Sequence, residues 1–260
     1  MITWGISSES HNAALAVFAD DRLLFASESE RFSRIKNDPV IPDNLIHHAQ
    51  QYGKPDLVCW YERPFRKQLR QLRAGQGLNE NFKEYVDAPV KFYGHHYTHA
   101  CGGYYTSNFK NACVVVIDAI GEFQTLTIWQ AVGNNLSLKY QKRYPNSIGL
   151  WYTAMTQRCG LKPNEEEYIL MAMSALGDPN KLRQAMFNDF IGDDFKFKKN
   201  LHKGCKDWRP DENIYDIAAA TQDVYEILFE LILRKAKRLV NFDNLVLMGG
   251  CALNCAANSK

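Results

Sequence analysis

The apolar and polar positions along the chain form two similar successions of strands. In the first, ITWGIS is apolar enough for a buried strand, and two more strand-like runs flank the polar turn Asp20-Asp21, which indicates a hairpin. In the second, the β-branched run ACVVVIDA precedes two strand-like runs that flank Gly133-Asn134-Asn135, another hairpin signal. Sequence identity between the two successions is negligible, so their similarity is one of pattern. The six predicted strands cover residues 2–7, 12–20, 22–30, 112–119, 124–132 and 136–144.

Helices are predicted where apolar residues recur at helical intervals. They cover residues 42–53, 147–160, 165–177 and 213–241, and the first three end at a glycine. The charged run RPFRKQLRQLR at 63–73 is expected to be a helix with a solvated face. Residues 187–213 have a mixed, loop-like pattern. Further strands are predicted at 56–62, at 89–94 and at the start of 244–254, where an apolar run enters Gly-Gly and then the start of a helix.

Two strand units, each followed by helices, predict a duplicated α/β fold with a ligand cleft between two lobes. The actin-like, sugar-kinase and heat-shock ATPase architecture has this form. The lobes are expected at residues 1–111 and 112–260. This inference rests on analogy between folds, and it does not fix a function.

Composition excludes several classes of protein. Of 260 residues, 46% are hydrophobic and 23% charged, as in a soluble globular protein, and the net charge of +2 gives no reason to expect a nucleic-acid or membrane surface. Seven scattered cysteines without a CxxC pair favour free thiols in a reducing compartment. The first residues show no secretory signal pattern, and no apolar run is long enough to span a membrane. A cytoplasmic location is therefore expected.

The clearest candidate chemistry is a metal site. His95 and His99 are four residues apart, so on a helix they share a face, although a pair of surface or half-buried histidines has the same spacing. Asp118 ends the buried run VVVID before a glycine turn, where a carboxylate points into a cleft or opens a turn. Two imidazoles and one carboxylate suit Fe(II), Zn or Mn and leave coordination positions open.

Two other segments are candidates for ligand binding. Gly249 and Gly250 would let the backbone approach a ligand, with phosphate at the following helix start, or they form only a tight turn. Asn254 could cap that helix or contact the ligand. The segment ESERFSRIKND at 28–38 is basic in part, although composition favours a solvated loop. His11, in the first tight turn, is a candidate general base or a turn residue.

Six motifs, in order along the chain, resemble the N-terminal domain of the O-carbamoyltransferases, which include the nodulation-factor, cephalosporin and tobramycin carbamoyltransferases. The matching stretches are GIS…HNAALAVF, SERFSRIKND, GHHYTHACGGYYTS, VVVIDAIGEF, SIGLWYTAMTQRCG and LVLMGGCALNCAANSK. That domain is similar to the universal tRNA threonylcarbamoyl transferase. The resemblance implies an actin-like fold, a divalent metal, usually iron, and transfer of a carbamoyl group from carbamoyl adenylate to a hydroxyl of a small molecule or sugar.

The resemblance also implies roles for particular residues. The HHxxHA motif falls on His95, His96 and His99, of which the first and last would be metal ligands together with Asp118. Glu122 matches the glutamate of the family's DGxGE motif. The remaining matches are Arg31 and Lys36, in a basic loop expected to face the carbamoyl or phosphate group, and His11, near the first hairpin.

Several positions depart from the family pattern. DGxGEW is here DAIGEF, with Ala119 for a glycine, and the first turn has Asn12 for an aspartate. GEYKVMGLAPYG is here EEEYILMAMSALG, with Ile169, Ala172 and Ala175 for a lysine, a glycine and a proline. Two alternatives therefore stay open: a relative of the tRNA threonylcarbamoyl transferase, and a catalytically inactive nucleotide-binding module.

In the family, further elements come after the region matched here. They include an aspartate that supplies another metal ligand and a C-terminal domain that makes the adenylate from carbamoyl phosphate and ATP. The second lobe is therefore expected to be incomplete, and the adenylate-forming domain to lie in the same or another chain. Exposed apolar surface would then favour a homo-oligomer or coverage by a partner polypeptide.

Overall fold

Contacts between residues divide the chain into two units, Met1–Thr98 and His99–Lys260. The structure is a computed structural model that describes residues 1–10, 12–78 and 80–260. The division falls within one helix, α4 (His95–Thr106). The predicted lobe boundary at residue 111 stays a prediction.

The first unit is built on a five-stranded sheet in the order β3-β2-β1-β4-β5. Strands β1 to β3 form an antiparallel meander, and β4 and β5 extend the sheet in parallel with β1. Trp4, Leu15 and Trp60 are buried at its core. The strands are β1 (Ile2–Ser7), β2 (Ala14–Ala19), β3 (Arg22–Glu28), β4 (Leu57–Trp60) and β5 (Val90–Phe92). The helices are α1 (Glu30–Ser33), α2 (Asp43–Gln50) and α3 (Pro64–Arg73).

Helix α3 buries three of its polar residues. Its buried residues are Lys67, Arg70 and Gln71, whereas Phe65, Leu69 and Leu72 are exposed. The expectation of a solvated charged face is therefore wrong at Lys67 and Arg70. The inner side chains have polar partners: Lys67 Nζ lies 2.6 Å from Glu62 Oε1, and Gln71 Oε1 accepts a 2.8 Å bond from Asn81 Nδ2.

The second unit is built on a four-stranded sheet in the order β8-β7-β6-β9. Strand β6 lies between its neighbours, and the run Val114–Val116 is fully buried, as its β-branched residues require. The strands are β6 (Asn111–Gly121), β7 (Gln124–Val132), β8 (Asn135–Arg143) and β9 (Leu245–Met248). The helices that follow α4 are α5 (Ile148–Arg158), α6 (Glu167–Met173), α7 (Arg183–Phe190), α8 (Ile214–Val240) and α9 (Cys255–Asn258). Short 3₁₀ turns lie at Ser174–Leu176, Pro179–Lys181, Asp193–Phe195, Leu201–Lys203 and Gly250–Leu253.

The two sheets repeat one topology. In each, three strands form an antiparallel meander, and a later strand pairs in parallel with the first strand of the meander: β4 with β1, and β9 with β6. The prediction of a duplicated α/β fold is confirmed by this order. The turn Asp20-Asp21 is as predicted, with Asp20 at φ 51° in the left-handed region. The second turn has Gly133 at φ 56° and is one residue shorter than predicted, because Asn135 is the first residue of β8.

Two predictions along the chain differ from the structure. Residues 183–190 form helix α7, which overlaps the segment predicted to be loop-like, and it buries Met186 and Phe190 at i and i+4. The helix predicted at 165–177 ends at Met173 and continues only as a 3₁₀ turn. Gly177 then passes against the start of α8, where a Cβ would lie 2.0 Å from the Tyr215 carbonyl oxygen.

Within residues 1–10, 12–78 and 80–260, none of the helices combines the length and the hydropathy needed to cross a membrane.

Helix α4 approaches β9 closely through one of two adjacent glycines. A Cβ on Gly103 would lie 2.5 Å from Met248 Cγ and 2.7 Å from Val246 Cγ1, whereas a Cβ on Gly102 would meet nothing nearer than 4.0 Å.

Gly103→Ala should therefore lower the free energy of unfolding by about 1–3 kcal/mol through overpacking. Gly102→Ala, the matched control, should leave it unchanged or raise it by up to about 1 kcal/mol. Denaturant unfolding checks both, and equal effects would contradict the packing argument.

Candidate metal centre

Helix α4 places both predicted histidine ligands on one face. His95 is its first residue and His99 lies one turn later. The Thr98 hydroxyl helps to fix the first turn. Its Oγ1 lies 2.7 Å from the His95 carbonyl oxygen in the same turn and 3.0 Å from the Tyr61 carbonyl oxygen, which precedes the helix. The small residues later in the helix allow its close packing on β9, which holds the helix in position.

Asp118 lies near the end of the buried stretch of β6. Its Oδ1 accepts a 2.8 Å hydrogen bond from the Ala119 backbone N–H, while Oδ2 lies 3.6 Å from His99 Nε2. Ser147 Oγ donates to the Ala119 carbonyl oxygen at 2.7 Å and fixes the same stretch of chain. One carboxylate oxygen is thus bound locally, and the other faces the histidine.

The structure brings together the three residues that the sequence combined. Each of His95, His99 and Asp118 offers one ligand atom, and these atoms lie within 4.8 Å of one another. All three side chains are partly buried. Two imidazoles and a carboxylate that leave further positions open fit Fe(II), Zn or Mn. The donor set therefore suits the metal that the resemblance implies, and metal binding itself stays a prediction.

A second buried carboxylate adjoins this group. Glu62, two residues beyond the end of β4, has its Oε2 3.6 Å from His95 Nδ1. Burial alone raises the pKa of Glu62, but His95 and Lys67 more than offset it, so that the pKa lies below its usual value. The sequence interpretation missed Glu62. A usable signal existed, because Glu62 ends the predicted strand DLVCWYE much as Asp118 ends VVVID.

The Gly249-Gly250 turn lies beside Asp118. A Cβ on Gly250 would stand 3.4 Å from Asp118 Oδ1. Gly249 has φ 89°, and a Cβ there would lie 2.3 Å from the Ile117 carbonyl oxygen. The packing of this turn on β6 is by itself sufficient reason for glycine at 249. Contact of the turn with a nucleotide stays a prediction.

Both the oxygen and the nitrogen of the Asn254 side-chain amide have hydrogen-bond partners in the protein. Its Oδ1 accepts from the Ala257 backbone N–H at 3.0 Å, which caps α9. Its amide also pairs with that of Gln222 through bonds of 2.9 Å and 3.0 Å. A contact from Asn254 to a ligand stays a prediction, but it would compete with these bonds.

Glu122 lies in the turn between β6 and β7. It is only 5% exposed and has φ 54°, in the left-handed region that a non-glycine residue adopts at a cost. Two-residue hairpin turns require such a conformation, so the turn between β6 and β7 accounts for it. Its catalytic role stays a prediction.

The predicted basic loop lies in the first unit, and the prediction of a loop is wrong at Glu30–Ser33, which form helix α1. Arg31 is exposed and pairs with Glu28 at 3.7 Å and Glu30 at 3.4 Å, and Lys36 is also exposed. Hydrogen bonds tie this loop to the first turn, because the Glu9 and Ala13 N–H groups donate at 2.8 Å to the carbonyl oxygens of Pro39 and Asp38. His11, predicted in that turn, lies outside the described residues.

The chain is similar to a known family and to several known proteins. A family model described as Carbamoyltransferase N-terminus matches residues 42–260. An uncharacterized protein of Synechocystis sp. is 28% identical, with 98% of this chain and 51% of that protein covered. The nodulation protein NolNO of Sinorhizobium fredii is 24% identical, with 96% of this chain and 42% of that protein covered. The ROK hexokinase of Thermus thermophilus is similar with a TM-score of 0.43 at 13% identity, covering 98% of this chain and 83% of that one. This chain spans about half the length of those curated relatives that match nearly all of it.

Loss of one ligand tests the centre. We expect His99→Ala to abolish stoichiometric metal binding, because only one imidazole and one carboxylate would remain of the group. The free energy of unfolding of the metal-free protein should change by less than about 1 kcal/mol, because the His99 side chain is partly exposed. His47→Ala, on the exposed face of α2, is the control. Elemental analysis of the purified proteins gives the metal content, and an unchanged metal-to-protein ratio in His99→Ala would contradict the assignment.

Proposed function

The chain belongs to the carbamoyltransferase family, whose N-terminal domain it matches, and on that premise we propose that it carries the transfer site for a carbamoyl group. The donor is carbamoyl adenylate and the acceptor is a hydroxyl of a small molecule or sugar. The observation that carries the proposal is the convergence of His95, His99 and Asp118 within 4.8 Å.

The three side chains would hold a divalent metal, Fe(II) first among those that fit. When bound, this ion supplies Lewis acidity that favours negative charge on the carbamoyl or phosphate oxygens. The protein positions the ligands for it: Asp118 is tied to its own backbone, and the histidines lie on a helix packed against β9. Such prior positioning limits the reorganisation that the site needs during transfer.

The transfer joins the acceptor oxygen to the carbamoyl carbon and breaks the bond from that carbon to the adenylate phosphate oxygen. AMP leaves with the electron pair, and the hydroxyl proton passes to a base, for which His11 is the candidate. Arg31 and Lys36 are proposed to neutralise the phosphate, since both are exposed cations. Glu122 is proposed to act beside the metal centre, and Gly249, Gly250 and Asn254 to bind the adenylate. The adenylate itself would come from carbamoyl phosphate and ATP in a C-terminal domain of the same or another chain.

An assay with supplied donor tests the proposal. The protein, loaded with Fe(II) or Zn, is mixed with carbamoyl adenylate and a panel of sugars, small alcohols and tRNA, and the carbamate ester is measured, both alone and with an adenylate-forming C-terminal domain. We expect ester formation on a small hydroxyl acceptor that falls at least about 100-fold in His99→Ala, because the metal centre is lost. His47→Ala should retain the wild-type rate.

Three outcomes would contradict the proposal. Equal rates in His99→Ala and wild type would show that the metal centre takes no part in the reaction. Carbamoylation of tRNA, and of no sugar or small alcohol in the panel, would favour the tRNA-modifying alternative. Binding of the adenylate without transfer to any acceptor, under both conditions, would favour the nucleotide-binding module.

A further inference from the structure

A buried charge pair, Glu62 with Lys67, lies in the first unit next to His95. Glu62 is 2% exposed and Lys67 is 7% exposed, and their charged atoms are 2.6 Å apart. Such pairs seldom stabilise a protein more than apolar residues of the same volume, because both charges must leave water. Stability alone therefore does not account for this pair.

The two oxygens of Glu62 have different surroundings. Oε1 accepts from the Tyr61 hydroxyl at 2.6 Å and from Lys67 Nζ at 2.6 Å. Lys67 Nζ also donates to the Glu9 carbonyl oxygen at 3.0 Å, which fixes the ammonium group from the other side. The carboxylate is thus held firmly through one oxygen. The other oxygen, Oε2, faces His95 Nδ1 at 3.6 Å.

This contact bears on which nitrogen of His95 carries the proton. A neutral imidazole has one N–H, and a carboxylate beside Nδ1 favours the tautomer that donates from Nδ1 and leaves the lone pair on Nε2. The distance is longer than a formed hydrogen bond, so the ring must turn slightly to close it. Tyr61 packs edge-on against the same ring, with centroids 5.4 Å apart, and restricts its orientation.

We propose that Glu62 is the positioning residue of the metal centre: it holds His95 as the Nδ1–H tautomer and directs Nε2 to the metal, while Lys67 and Tyr61 hold Glu62. The inference rests on the metal site of the proposed function. Its chemistry is that of a carboxylate behind a metal-bound histidine, which orients the ring and increases its basicity. Lys67 has a separate task, because its ammonium group compensates the buried negative charge of Glu62.

The experiment separates charge, hydrogen bonding and folding. Glu62→Gln keeps an acceptor but removes the charge, and the double variant Glu62→Leu with Lys67→Met removes both without leaving a buried lysine unpaired. Asp216→Asn is the matched control, since Asp216 is 6% exposed and bound to Lys181 at 2.7 Å, a pair that includes no histidine. The ¹⁵N NMR spectrum of the histidine rings gives the tautomer in metal-free protein, with His95→Gln identifying the signal. Competition titration with Zn gives the affinity.

We expect His95 to be the Nδ1–H tautomer in the wild type and in Asp216→Asn, and to lose that preference in the double variant. The Zn affinity should fall about 10- to 100-fold in the double variant and less in Glu62→Gln. Circular dichroism and thermal unfolding must show that each variant is folded. An Nε2–H tautomer in the wild type, or an unchanged tautomer and affinity in the folded double variant, would overturn the proposal. A wild type that shows the expected tautomer but binds no metal would refute the metal centre of the proposed function and leave the role of Glu62 in fixing the ring intact.

Discussion

The close approach of three glycines to the end of strand β6 is the constraint on which the second unit depends. Cβ atoms would lie 2.3 Å from the Ile117 carbonyl oxygen at Gly249, 3.4 Å from Asp118 Oδ1 at Gly250 and 2.7 Å from the Ala119 Cα at Gly149. Two segments distant in sequence thus close on three consecutive residues. Asp118 is the middle one, so packing on both sides sets the position of its backbone, while the Ala119 N–H holds its carboxylate.

The same packing surrounds one position that departs from the family pattern. The resemblance expects glycine where this chain has Ala119. Gly149, in the first turn of α5, approaches Ala119 without a side chain of its own. Ser147 precedes it, caps the helix by accepting from the Leu150 N–H at 3.0 Å, and donates to the Ala119 carbonyl oxygen. The chain at Ala119 is therefore fixed by α5.

The sequence predicts those parts of the fold and of the site that depend on short-range patterns of residues. The strands, the hairpin turns and the pair His95 and His99 are predicted by short-range periodicity, and Asp118 by its place at the end of a buried run. Glu62 has the same kind of place, but its significance requires knowing that α4 starts beside it, which only the folded chain shows. Helix α7 was missed because only two of its residues, Met186 and Phe190, are fully buried, and two positions make a weak periodic signal. The partners of Asn254, namely Gln222 and the α9 backbone, likewise come from elements brought together by tertiary structure.

Helix α3 is attached to the first unit by polar contacts. Its position is defined by Lys67 with Glu62, by Arg70 with Gln76 and by Gln71 with Asn81, while its leucines face outward. At these positions the usual relation between residue type and tolerance to substitution is therefore reversed. Divergence should proceed freely at the leucines and slowly at the lysine and glutamine, because hydrogen-bond geometry admits fewer substitutes than an apolar surface does. A comparison based on hydrophobicity alone would misjudge which side of this helix is inside.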